Sequence, residues 1–207
     1  MAYRDFKMKD LEQKFGIQEI GIELFDISKI KKIEPTDKLK TDLLEARYIN
    51  LSTEKAVSER LVSPILVEVR KRNNDFQIFS GEIIEGDKKL GLNGEIDFIF
   101  AKIPITTKPK TPIFCVTESK LGRVTEAFPQ ATAQMIGVRL FNKNNNGHEE
   151  TIHAIVTDGK TWRILRLEGN NVFIDQNDFS TENISLLLGV LQEVVNFHKK
   201  SPSILRG

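Results

Sequence analysis

The clearest hydrophobic period in the chain begins at Ser52. Val57, Leu61 and Ile65 fall on one helical stripe, Ser52 and Thr53 are placed to cap it, and Glu54 stands where a helix dipole favours an acid. Together they predict a helix over residues 53–71. Val62, Leu66 and Val69 add an apolar flank, so this helix is expected to be covered on most sides. Pro64 lies within it and predicts a kink, or a helix restarted with Ser63 as cap and Pro64 in its first turn.

The period then changes from helical to extended. Residues 76–84, 94–101 and 112–120 are rich in Ile, Val, Phe or Thr, are bounded by Gly, Asn, Asp or Pro, and read as a three-stranded meander. Between the last two, KIPITTKPKT carries two prolines and reads as a loop or flexible hairpin tip. Val124, Phe128, Ala131, Met135 and Val138 predict a helix over residues 124–141 that stops at the NKNNNG turn. Residues 151–157 and 161–167 flank Asp158-Gly159, the pair that most favours a two-residue hairpin turn, and 172–174 add a short strand. A closing amphipathic helix over 181–199 carries Ile184, Leu187, Leu188, Leu191, Val194 and Val195. Residues 1–50 are less regular: 10–15 reads as a helical turn, 17–25 as extended or helical, and Leu39, Leu43 and Leu44 recur at helical spacing after a break at Pro35-Thr36. The order of elements predicts an α/β fold with a central mixed sheet of four or five strands flanked by helices.

Composition narrows what such a fold can do. A chain of 207 residues, 40% hydrophobic and 29% charged, is long and apolar enough for one domain with a buried core. No apolar stretch is long enough to cross a bilayer, and MAYRDFKMKD is too polar for a secretory signal, so a cytoplasmic location is expected. Cys115 is the one cysteine, which excludes an internal disulfide and a multi-thiolate zinc site; in PIFCV it reads as a small buried hydrophobe. His148, His153 and His198 have no HxH or HxxxH spacing, so no histidine-built metal centre is expected. The net charge of +1 argues against nucleic-acid binding by bulk charge. It leaves room for a local basic groove, from Lys29, Lys31 and Lys32, from Lys38 and Lys40, or from Lys108 and Lys110. There is no Walker loop, dinucleotide fingerprint or nucleophile elbow; Gly86, Gly91 and Gly94 suit a turn, and Trp162 suits core packing.

Chemistry enters with two short segments. In GEIDFIF, Asp97 alternates with Ile96 and Phe98; in CVTESKLG, Glu118 and Lys120 are two apart and share a strand face. If these strands are neighbours, Asp97 stands beside Glu118 and the pair offers hard oxygen donors to Mg²⁺, with the Ser119 carbonyl available to complete the protein ligands. Phosphodiester hydrolysis needs such a cation to polarise a phosphoryl oxygen, a water made nucleophilic, and a positive group where charge builds. Taken alone, Glu118 and Lys120 also fit a half-exposed strand with a surface ion pair. The continuous apolar run Ile113–Val116 before them points to a central strand buried on both faces, where ionisable groups need a reason.

GEIDFIF, a loop, FCVTESK and then a helix with QATAQM together resemble the PD-(D/E)XK nuclease superfamily, over residues 52–166. The resemblance implies a restriction endonuclease-like three-layer α/β/α core over residues 52–200, preceded by an extension over 1–50 within a single domain. It implies Mg²⁺ as cofactor, with Mn²⁺ as a substitute, and DNA as substrate, with RNA left open. In the superfamily an acid on the second core strand and an ExK on the third bind metal and activate water. By position these are Asp97 and Glu118, with Lys120 placing the water or stabilising developing charge. Many members add a glutamate from the first core helix. Glu54, which shares the face of Val57, Leu61 and Ile65, and Glu59, which shares that of Val62 and Leu66, both qualify. Many also carry a glutamine on the helix after the ExK strand that reaches the site or the substrate backbone; Gln130 is the first choice and Gln134 the second. The residue before Asp97 is Ile96 rather than proline, at a position that varies widely in the superfamily.

Two other readings compete with a metal-dependent nuclease. One is a nuclease-fold module that binds nucleic acid or a protein partner without cutting. The presence of Asp97, Glu118 and Lys120 together favours the enzyme. The other is an interaction protein in which the ExK is coincidence, which predicts no divalent-metal affinity. Double-strand cutting would suggest a homodimer, although the sequence shows no dimer interface.

Overall fold

Alternation along β3 (Leu92–Ala101) shows how the sheet divides the core. Ile99 and Ala101 face one side and Phe98 and Phe100 the other, and each side has its own cluster of buried apolar residues. The computed structural model describes residues 1–102 and 106–200; positions 103–105 of the expected loop lie outside them. The fold is α/β, a mixed sheet of eight strands between two layers of helices.

β2 (Gln77–Asp87), β3 and β4 (Ile113–Ser119) form the expected antiparallel meander, after which β4 pairs in parallel with β5 (Ile152–Thr157). A parallel step needs a crossover, which α5 (Phe128–Asn144) supplies. β6 (Thr161–Glu168) and β7 (Asn171–Asp175) continue antiparallel, and the short β8 (Phe179–Ser180) lies beside β6. With β1 (Gln18–Ile22) at one edge, the strand order is β1-β7-β6-β5-β4-β3-β2. The sheet is thus larger than the four or five strands expected. One of the additional strands is β1, which pairs in parallel with β7, Gln18 opposite Asn171. Its partner lies at the other end of the chain, where no local pattern reports it.

α5 and α1 (Met8–Phe15) cover one face, and α2 (Asp37–Glu45), α4 (Ser63–Lys71) and α6 (Ile184–Lys200) the other. Residues 1–50 therefore contribute to the core, through Tyr3, Phe6, Leu11, Ile17 and Leu39. Tyr3 is buried, its hydroxyl donates to the Ile84 carbonyl at 3.1 Å, and a Cβ at Gly137 of α5 would fall 2.2 Å from its oxygen. This bare crossing keeps α5 close to the sheet and carries its glutamines to the end of β4. On the other face, Glu68 of α4 accepts from the Thr36 N–H and hydroxyl at 3.2 and 2.8 Å, which ties the segment before α2 to the helix.

The helix expected over 53–71 forms with an irregularity at its centre. α3 (Glu54–Val57), capped by the Thr53 hydroxyl on Ala56 N–H, passes through a wide π-helical turn at Ser58–Val62 into α4, with Pro64 in the first turn of α4. Proline has no N–H to give, so the hydrogen-bond ladder opens before it and resumes afterwards. The β5–β6 turn has three residues, not two: Asp158 Oδ1 accepts from Lys160 and Thr161 N–H at 2.9 and 2.7 Å. Its Gly159 has φ 87°, and a Cβ there would stand 2.7 Å from Val57 Cγ1, so this turn presses against α3. Among the described residues no helix is long and apolar enough to cross a membrane.

Candidate active site

β4 is buried along its whole length and delivers Glu118 and Ser119 to one end of the sheet. Its pairing with β3 reaches Phe98–Thr117, so Asp97 and Glu118 are the next residues facing each other across the two strands. There the ladder gives way to a side chain: Ser119 N–H donates to Asp97 Oδ2 at 2.7 Å. The N–H and C=O of one strand residue point to the same side, so the Ser119 carbonyl lies on this same edge.

Glu118 is only 5% exposed, and each of its oxygens is held by a separate amide. Gln130 Nε2 donates to Oε1 and Gln134 Nε2 to Oε2, both at 2.6 Å. Gln130 and Gln134 lie one turn apart on α5, so the two candidates that spacing ranked one above the other bind the same carboxylate. Gln134 is fully buried, and its own carbonyl oxygen has no partner among the described residues. Burial, and after it the Asp97 charge, push the Glu118 carboxyl up to about 8, against the Gln134 hydrogen bond and the Lys120 charge. Asp97 is also raised, chiefly by burial, against the Ser119 hydrogen bonds and with Glu54 and Glu95 adding repulsion. Two adjacent buried carboxylates cannot both ionise cheaply near neutrality.

Lys120 emerges from the end of β4 and its ammonium lies 3.0 Å from Glu54 Oε1; the two side chains are 40% and 48% exposed. The Glu54 hydrogen bond is the main cause of a raised Lys120 pKa, so the amine stays charged. Glu54 is therefore the helix acid that meets the strand pair. Glu59 lines the same cleft but lies in the π-helical turn, 3.9 Å from Lys55, and, unlike Glu54, is not among the charges that raise Asp97 and Glu118. A wheel drawn at 3.6 residues per turn does not hold through that turn, which is why helical spacing did not separate the two. Ser58 Oγ, 3.5 Å from Ser119 Oγ, links the same turn to β4.

Asp97 and Glu54 open onto a cleft of about 510 Å³, lined also by Lys55, Ser58, Glu59 and Glu95 among others. Glu95 and Ser58 were not anticipated. Glu95 is two residues before Asp97, and the strand period that placed Asp97 was the signal for it. None of the lysine patches suggested by the sequence lines this cleft. Lys29, Lys38 and Lys40 pair with Asp26, Asp42 and Asp37, Lys31, Lys32 and Lys110 are exposed, and Lys108 lies beside Ile83 of β2.

Among the described residues no three His, Cys, Asp or Glu side chains converge into a ready-made metal cage. Mg²⁺ does not need one, because it binds through one or two carboxylates, keeps several waters, and takes substrate phosphate as a further ligand. The donors here are oxygens, and two of them are carboxylates whose burial and mutual repulsion call for a proton or a cation. That donor set fits a hard divalent cation, with Asp97 and Glu118 as ligands, the Ser119 carbonyl beside them and Glu54 at the rim. No family model matches the chain, and no curated protein matches it. The functional reading rests on this geometry.

Proposed function

We propose that the protein is a Mg²⁺-dependent nuclease of the PD-(D/E)XK type, hydrolysing DNA phosphodiester bonds in the cleft between α3 and the ends of β3 and β4. The observation that carries this reading is the meeting of Asp97, Glu118 and Lys120 at adjacent strand ends, with Glu118 buried, Asp97 half-buried at the cleft, and the half-exposed ammonium held by Glu54. Asp97 and Glu118 would hold the cation, and Mn²⁺ satisfies the same donors. Bound there, the cation polarises a phosphoryl oxygen and acidifies a water.

The chain's own residues do the rest. Lys120 supplies positive charge where a pentacovalent phosphate would build negative charge, and Glu54 keeps it protonated. Gln130 and Gln134 fix the orientation of Glu118, and Gln130, the less buried of the two, would be the one to reach the substrate backbone as well. The cleft holds more carboxylates than cations, so it repels a phosphate backbone until metal is bound, and substrate affinity should depend on metal. Cytoplasmic DNA is the substrate this reading calls for, and a homodimer is needed only if both strands of a duplex are cut in one encounter.

The test is a panel of end-labelled DNA and RNA oligonucleotides, single- and double-stranded, incubated with the full chain and Mg²⁺, Mn²⁺ or EDTA. Metal-dependent DNA cleavage is expected. A panel left intact, together with no calorimetric heat for Mn²⁺, would replace the enzyme by a binding module.

A further inference from the structure

On the α6 face of the sheet, away from the cleft, a row of side chains crosses β5, β6 and β7. His153 is the direct partner of Arg166 across β5–β6, and Arg166 that of Phe173 across β6–β7. The Arg166 guanidinium lies 5.1 Å from the Phe173 ring centroid and 5.5 Å from that of Phe197 on α6. Phe197 also meets the His153 ring edge-on at 5.1 Å. Phe25, Glu193 and Lys200 help to close a hollow of about 380 Å³ over this row.

Behind the hollow runs a buried chain of hydrogen bonds. His153 Nδ1 lies 2.7 Å from His198 Nε2, His198 Nδ1 lies 2.7 Å from Glu149 Oε1, and Lys102 donates to Glu149 Oε2 at 2.7 Å. Burial works against the Glu149 charge, but the bonds from His198 and Lys102 hold its pKa below the ordinary carboxylate range. An ionised carboxylate only accepts, so His198 Nδ1 carries a proton. Burial lowers the pKa of both imidazoles and favours their neutral forms. His198 Nε2 is then an acceptor, and His153 Nδ1 must carry the proton between them. The one imidazole nitrogen left over is His153 Nε2, a lone pair with no hydrogen-bond partner among the described residues, on a side chain that lines the hollow and is 2% exposed. Beside it, Arg166 Nε is buried and also without a partner among the described residues.

We propose that this hollow binds a small phosphate monoester, with its phosphoryl group on His153, Arg166 and Lys200 and a flat body against Phe25 and Phe197. A mononucleotide is the simplest such ligand. Arg166, whose Nη2 lies 3.6 Å from Glu168 Oε2 but whose Nε has no partner among the described residues, and Lys200 favour an anion, while the His153 lone pair calls for a proton donor, and few single groups offer both near neutrality. Carboxylates and sulfates carry almost no proton there; a phosphate monoester keeps one in a minor fraction, because its second ionisation falls at about pH 6, and a site that accepts that proton draws on the fraction. Its P–OH donates to His153 Nε2 while its anionic oxygens accept from the guanidinium. If the proton moves onto Nε2, the Nδ1 proton can pass to His198 Nε2, leaving the positive charge beside Glu149. Glu193, which also lines the hollow, suits a sugar hydroxyl. The inference is independent of the nuclease reading.

The test is calorimetric titration of the full chain in EDTA with adenosine 5′-monophosphate, inorganic phosphate and adenosine. The monophosphate should bind at least about tenfold more tightly than either fragment. Arg166→Met, which keeps the stem against the aromatic rings, should weaken it about tenfold or more. Lys200→Ser, at an exposed position, should weaken it several-fold without changing the melting temperature. Asp97→Asn should leave it unchanged. Adenosine binding as tightly as the monophosphate, binding untouched by both variants, loss of binding in Asp97→Asn, or no heat at ~1 mM ligand would each overturn the proposal.

Discussion

Gln134 Nε2 lies 2.6 Å from Glu118 Oε2 in a position without solvent, so a buried carboxyl is held by an amide whose own carbonyl has no partner among the described residues. An amide can serve this carboxyl in both its states, donating to the ionised form and, once turned, accepting from the protonated one. Gln134→Met keeps the volume and removes the donor. It should destabilise the fold by about 1–3 kcal/mol at pH 9, where Glu118 is ionised, and by less at pH 6. Urea denaturation at the two pH values measures this, and equal losses at both would contradict the assigned role.

Glu118 itself makes stability depend on pH. Its pKa is about 8 in the folded chain against an ordinary 4.5, so between those values the folded state keeps a proton that the unfolded state releases. Its contribution is intact below pH 4.5 and is lost as pH rises through about 8. Glu118→Gln removes this dependence. In EDTA the variant should melt above the parent at pH 8 and close to it at pH 5. Added Mg²⁺ should raise the melting temperature of the parent at pH 8 and leave the variant unmoved. A thermal-shift series over pH and metal reads all of these.

Exposure separates the two helix acids and limits what their ion pairs contribute to folding. The Glu54–Lys120 pair is nearly half exposed, so Glu54→Gln should change stability by less than ~1 kcal/mol. Because it holds Lys120 at the cleft, the same change should lower metal-dependent cleavage by about 10–100-fold. Glu59→Gln should leave both nearly unchanged. A larger loss of cleavage in Glu59→Gln than in Glu54→Gln would reverse the assignment.

The β5–β6 turn gives a test at a distance from the chemistry. A Cβ on Gly159 would stand 2.7 Å from Val57 Cγ1 and 2.8 Å from Leu61 Cδ1, at a φ of 87° that L side chains rarely adopt. Gly159→Ala should therefore destabilise by about 1–3 kcal/mol and, by moving α3, reduce cleavage in the fraction that remains folded. Chemical denaturation combined with activity per folded molecule separates the two effects.

Sequence pattern reached the strand ends more readily than the surfaces around them. Asp97, Glu118 and Lys120 were legible because period-two alternation and an apolar run preceding charged residues are local signals. Gln130 and Gln134 could be placed on α5, but their shared hold on Glu118 depends on how closely α5 crosses β2, which Gly137 and Tyr3 decide from distant parts of the chain. Glu54 and Glu59 were confounded by the π-helical turn. The β1–β7 pair and the His153–His198–Glu149 chain join residues far apart in sequence, and no local spacing encodes such contacts. The histidines that spacing had set aside as scattered include two whose rings are hydrogen-bonded.

The most direct measurement is single-turnover cleavage of supercoiled plasmid and single-stranded DNA, with Mg²⁺, by the parent chain, Asp97→Ala and Lys120→Ala. The account predicts cleavage by the parent that EDTA abolishes, and losses of at least about 100-fold in both variants while their melting temperatures show them folded. Cleavage that persists in both folded variants would place the chemistry elsewhere and contradict the account.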